Sequence, residues 1–220
     1  MKIIYWSDFN CPYSFIGLNR LTQAIEELDL EFEWEMKAFE LERMASNVPT
    51  QSMTVRHAIK FGLSEKDAIK KIEDIEKIAK SEGLNLNYKG TQLTSSRNAH
   101  RLIKYIENKH PELLQEIVFK IYEANFVENR IIADVNVLAS LVKDYGLENE
   151  VQKILSSDSY DIEVDLDEED AGFNGICSVP HYIMIVNGEQ LIIPGAFEKE
   201  DFKIAIEEMI SGKLREKSFL

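Results

Sequence analysis

A chain of 220 residues with 45% hydrophobic content is long enough to bury roughly 70% of its unfolded surface, so its core needs neither disulfides nor metal. Its formal net charge of −14 repels phosphate backbones and anionic lipid heads and argues against nucleic acid and membrane partners. Two cysteines, Cys11 and Cys177, are too few for a disulfide scaffold or a cysteine zinc site; with no apolar run that reads as a signal peptide or a bilayer span, a cytoplasmic setting among reduced thiols is expected.

Lys2 to Trp6 reads as a short buried strand. Asp8, Asn10 and Pro12 punctuate a turn, and Phe15, Leu18, Leu21, Ile25 and Leu28 then follow at helical spacing. Leu30 to Met36 alternates apolar and acidic residues, the signature of a strand with one buried face. Strand, helix and strand in so short a span make a βαβ unit with parallel strands. From about Glu40 to Asn149 the pattern is helical. Ser64 and Asp67 resemble a capping box ahead of the stripe Ala68, Ile72, Ile75 and Ala79, and Gly83 follows. Further stripes are Ala99, Leu102, Ile103 and Ile106, ended by His110-Pro111; Leu114, Ile117, Val118 and Ile121; and Leu138, Leu141, Val142 and Tyr145, stopped by Gly146. The acidic run Asp165 to Asp170 reads as a solvated helix face rather than a metal site. His181 to Val186 is a strand, Asn187-Gly188 is a type I′ hairpin signal, and Gln190 to Ile193 is the return strand. Phe202, Ala205, Ile206 and Met209 mark a last helix ending near Gly212. The two strand-bearing ends must share one sheet, since neither can bury its faces alone. The division expected is residues 1–39 and 150–220 for the sheet domain and 40–149 for an inserted helical subdomain.

The chemistry concentrates at Asp8-Phe9-Asn10-Cys11-Pro12-Tyr13-Ser14. Pro12 suits the first helical position, where its missing N–H costs nothing. Cys11 then faces the unpaired N–H groups and positive dipole end of the helix, which favour thiolate and predict a lowered thiol pKa, fast reaction at neutral pH and a slower Cys177. Ser14 is placed to donate a hydrogen bond to that sulfur. The competing reading of Cys11 is a small buried residue. Ser178-Val179-Pro180-His181 precedes the third strand. Pro180 is either a plain strand-start proline or a cis residue whose neighbouring backbone pairs with an incoming extended chain. Cys177 is either a small loop residue or a second thiol for Cys11, and His100 either faces the cleft or is a hydrogen-bonded interface residue. No His and carboxylate spacing suggests a metal.

Cys11-Pro12-Tyr13-Ser14-Phe15-Ile16-Gly17, Asn98-Ala99-His100-Arg101-Leu102, Gly175 to Pro180 and Pro194-Gly195-Ala196 together resemble the DsbA-like thioredoxin family, in its FrnE-like branch. The resemblance covers nearly the whole chain. It implies an α/β, thioredoxin-like fold, βαβ–helical insert–ββα. It implies a thiol-disulfide oxidoreductase or isomerase with Cys11 as nucleophile, a cis Pro180, and substrate contacts at Pro12, Tyr13, Val179 and Pro180. The family motif has cysteine where this chain has Ser14, which leaves a monothiol site that works through a mixed disulfide, with no bound cofactor and with glutathione as a candidate co-substrate. Two alternatives remain. One is a glutathione-dependent isomerase or transferase, as in the related 2-hydroxychromene-2-carboxylate isomerases and kappa-class glutathione transferases, where serine commonly replaces Cys11. The other is a non-catalytic peptide-binding module.

Overall fold

The computed structural model describes residues 1–212. Strand β1 (Lys2–Ser7), helix α1 (Pro12–Glu27) and strand β2 (Glu33–Ala38) form the expected βαβ unit. The two strands are parallel, with Ile3 opposite Trp34 and Tyr5 opposite Met36. The second strand begins at Glu33 rather than Leu30. Its ladder partner β1 starts at Lys2, so the residues before Glu33 have no strand to pair with. Leu30 and Phe32 pack on the core from the connection instead.

Helices α2 (Met53–Phe61), α3 (Glu65–Ser81), α4 (Arg97–Lys109), α5 (Leu114–Phe126), α6 (Val135–Leu141), α7 (Glu148–Leu155) and α8 (Asp161–Phe173) follow. Among the described residues none of this stretch is strand. Ser64 caps α3 as its sequence suggests, Oγ accepting from the Asp67 N–H at 3.2 Å and donating to Asp67 Oδ2 at 2.6 Å. Its inner stripe is Ala68, Ile72, Ile75 and Ala79. The stripe from Leu138 to Tyr145 is not one helix. It breaks after Leu141 into a 3₁₀ turn, Lys143–Tyr145, closed by Gly146 at φ +74°. The tighter turn carries Tyr145 to α5, where Lys120 Nζ meets its hydroxyl at 2.8 Å.

Strands β3 (His181–Val186) and β4 (Glu189–Pro194) form the hairpin, with Asn187 and Gly188 at φ 52° and 81° as a type I′ turn requires. Helix α9 (Lys199–Ser211) ends the described chain. Among the described residues the sheet order is β2-β1-β3-β4, with β1 and β3 antiparallel. One core continues from Ile3, Tyr5 and Tyr182 of the sheet through Phe15 of α1 into Ile103, Tyr122 and Phe126 of the helical insert. On the other face Trp6 packs with Ala171 and Ile176.

The acidic run is not a uniformly solvated face. Asp167 is 5% exposed. Its Oδ2 accepts the Ala38 N–H at 2.9 Å and lies 2.7 Å from Lys104 Nζ, while its carbonyl accepts from Trp6 Nε1 at 3.1 Å. Glu168, also sunk, accepts the Glu40 N–H at 2.8 Å and pairs with Arg43. These two carboxylates tie α8 to the end of β2, because a backbone leaving the sheet there has N–H groups to satisfy.

Candidate active site

The β1–α1 junction is wired to the helical insert. Within the junction, Asp8 Oδ1 accepts from the Asn10 N–H at 3.0 Å, and its carbonyl accepts from the Cys11 N–H at 2.9 Å. Outside it, Asp8 Oδ2 accepts from the Leu41 N–H at 2.8 Å, Asn125 Nδ2 of α5 donates to the Phe9 carbonyl at 2.8 Å, and Asn10 Nδ2 donates to the Thr94 carbonyl at 2.8 Å. Every one of these groups is buried or partly buried, so the bonds fix the loop rather than decorate it. Pro12 opens α1 and Cys11 is its N-cap, as the sequence predicts.

Across the sulfur lies the segment Ser178-Val179-Pro180. The Val179–Pro180 peptide is cis. Cys11 Sγ donates to the Val179 carbonyl at 3.5 Å, and the Pro180 carbonyl accepts from Gly195 N–H at 2.8 Å. The structure therefore brings together Cys11, Pro12, Ser14, Val179 and Pro180, with Tyr13 beside them at the surface. Cys177 is a free, exposed thiol two residues before Val179, whereas Cys11 is free and buried. His100 does not line the cavity at Cys11. It is buried behind the junction against Phe9, with Nε2 3.7 Å from Asp8 Oδ1 and without a hydrogen bond on that nitrogen among the described residues.

The expected low thiol pKa is not what this arrangement gives. Burial pushes the Cys11 thiol up from its ordinary value, against the opposing pull of the Ser14 hydroxyl and the N–H groups of Ser14 and Tyr13; the nearby Asp8 charge raises it further. The helix mouth does present its donors to the sulfur, but at 6% exposure the lost hydration of a thiolate outweighs them. Ser14 Oγ is itself buried and makes no hydrogen bond to another group among the described residues, which leaves it free for a thiolate.

Cys11 opens onto a cavity of about 250 Å³. Its apolar wall is Met53, Phe61, Ile75, Tyr88 and Leu93; its polar groups are Arg56, His57 and Lys60 of α2, Lys71 of α3, and Glu42. Glu42 pairs with Arg56 and lies 3.5 Å from Lys60, while Lys71 Nζ sits 4.4 Å above the Phe61 ring. Sequence reasoning missed this wall. The signal was there: Ser52, whose hydroxyl caps α2, and Gly62, which ends it at φ +63°, bracket a nine-residue helix. Among the described residues no cluster of His, Cys, Asp or Glu has metal-holding geometry, and no helix is long and apolar enough to cross a membrane.

Residues 2–207 match the DSBA-like thioredoxin domain family. A probable DsbA oxidoreductase from Streptomyces coelicolor is 25% identical, with a TM-score of 0.85 over 96% of this chain and 90% of that one. The cytosolic disulfide reductase DsbM from Pseudomonas aeruginosa, in a structure with GSH, is 15% identical, with a TM-score of 0.65 over 96% and 100%. A 2-hydroxychromene-2-carboxylate isomerase is 16% identical, with a TM-score of 0.66 over 99% and 98%. Comparison with curated protein sequences returns no match.

Proposed function

The chain belongs to the DSBA-like thioredoxin family, and from that premise we propose that it is a cytoplasmic thiol-disulfide exchange enzyme in which Cys11 acts alone through a mixed disulfide with a small thiol such as glutathione. The observation that carries this reading is the pairing of Cys11 with Ser14 at the helix mouth, the sulfur opening onto a cavity. A cysteine at position 14 would capture the mixed disulfide internally; a serine leaves it waiting for an external thiol. The cavity size favours a small co-substrate over a protein chain, and the cations Arg56, Lys60 and Lys71 around it suit an anion such as glutathione. In the first step the Cys11 thiolate attacks one sulfur of the oxidised thiol, a thiolate leaves, and the Ser14 hydroxyl steadies the sulfur charge.

Treatment of the Cys177→Ser chain with oxidised glutathione should add one glutathione, on Cys11, read by intact mass and peptide mapping. The wild-type chain should carry the same Cys11 adduct, with exposed Cys177 modified independently of it. An internal Cys11–Cys177 disulfide in place of the adduct refutes the monothiol mechanism. The mostly apolar cavity wall also favours a second reading, glutathione-dependent isomerisation or transfer on an organic substrate. In that case Cys11→Ser retains activity, whereas thiol exchange loses it entirely.

A further inference from the structure

His57 is placed oddly for a packing residue. It lies on α2 at 6% exposure, its ring 5.2 Å from Phe61 and 5.5 Å from Tyr88. Its Nε2 is 3.1 Å from Tyr88 Oη. Its Nδ1 is buried and has no hydrogen-bond partner among the described residues, and the residue lines the same cavity as the Cys11 sulfur. A buried polar atom without a partner calls for an explanation. The charged and titratable groups lining the cavity around it are Arg56 and Lys60 on its own helix, Lys71 on α3, Glu42, Tyr13 on α1, Tyr88, and Cys11. Burial and the three cations Lys71, Lys60 and Arg56 hold the His57 pKa below its ordinary value, so the ring is neutral at pH 7. In the tautomer that donates Nε2–H to Tyr88, Nδ1 keeps an unshared lone pair on a ring that lines the cavity.

We propose that His57 Nδ1 is the proton acceptor for the thiol that enters this cavity to release the mixed disulfide on Cys11. This rests on the exchange function proposed above. The incoming R–SH gives its proton to Nδ1 as its sulfur attacks the R′ sulfur of Cys11–S–S–R′. The Cys11–R′ sulfur bond breaks, the R–S–S–R′ bond forms, and the electron pair leaves on the Cys11 sulfur. The imidazolium returns the proton there. The sum is R–SH + Cys11–S–S–R′ → R–S–S–R′ + Cys11–SH, with neutral His57 restored. The site needs such a group because the Cys11 sulfur, the leaving group, sits where little water can protonate it.

The test is single-turnover release of glutathione from the preformed Cys11 adduct by reduced glutathione, followed by mass spectrometry from pH 6 to pH 8.5. Without a base only free thiolate attacks, so the rate of His57→Gln should fall about tenfold per pH unit on acidification. The wild-type rate should fall much less, giving a ratio that grows to at least about tenfold by the acid end. A purely structural role would lower the rate by a constant factor, so parallel profiles overturn the proposal. Should His57→Gln fail to fold, Tyr88→Phe removes the Nε2 partner while keeping the imidazole, and must move the acid-side inflection; an unmoved inflection overturns the proposal equally. A wild-type chain that forms no adduct defeats the exchange function itself, a distinguishable result.

Discussion

Replacing Asp167 by alanine should destabilise the protein by about 3 kcal/mol. The carboxylate accepts the buried Ala38 N–H and faces Lys104, whose ammonium side chain is 9% exposed. Truncation leaves that N–H unpaired, which costs about 1–3 kcal/mol. It also breaks a buried ion pair, for which about 3–5 kcal/mol is usual. The two costs overlap, and Lys104 keeps Glu107 at 3.0 Å and the Met36 carbonyl at 2.6 Å, so the lower end applies. Asp167→Asn retains an acceptor for Ala38 but turns an uncharged amide towards Lys104 and Lys37, and should cost about 2 kcal/mol. Urea unfolding followed by circular dichroism measures both, with the midpoint moving and the slope unchanged. In a double-mutant cycle, Lys104→Met on the Asp167→Ala background should cost clearly less than it does in the wild type. A loss below about 1 kcal/mol for Asp167→Ala, or strict additivity in the cycle, would refute the assignment of this carboxylate as a buried tie.

Other outcomes follow from the same geometry. Ser14→Cys should convert the glutathione adduct into an internal disulfide with Cys11 and raise insulin-reduction activity, because the two positions lie three residues apart on one helical face at the mouth of α1. Since burial raises the Cys11 pKa, iodoacetamide should modify exposed Cys177 faster than Cys11 at pH 7. The Cys11 rate should keep climbing beyond pH 8.5 or so, the ordinary thiol value, and Ser14→Ala should displace that climb to still higher pH. Gly17→Ala should destabilise by about 1–3 kcal/mol, because the added methyl would meet the Tyr182 hydroxyl at 2.8 Å and the Ala196 Cβ at 3.0 Å; a thermal melt within error of wild type would contradict that close approach.

The sequence by itself determined the elements whose signals are local. Helix stripes such as Ala68, Ile72, Ile75 and Ala79, the Ser64 cap, the Asn187-Gly188 turn and the proline that opens α1 depend on residues a few positions apart, and each formed as read. The meeting of Cys11 with the Val179–Pro180 loop was also anticipated, through motifs shared with a known family. Tertiary structure decided what depends on neighbours distant along the chain. The start of β2 followed the start of its parallel partner strand. The acidic run turned two carboxylates inward because unpaired N–H groups at Ala38 and Glu40 awaited them. The thiol pKa rose because the insert and the cis-proline loop close over the sulfur, and desolvation depends on everything packed around a group rather than on the helix beneath it. The cavity wall with His57, Lys71 and Tyr88 exists only because α2, α3 and the turn at Tyr88 converge on Cys11, a convergence that no local pattern encodes.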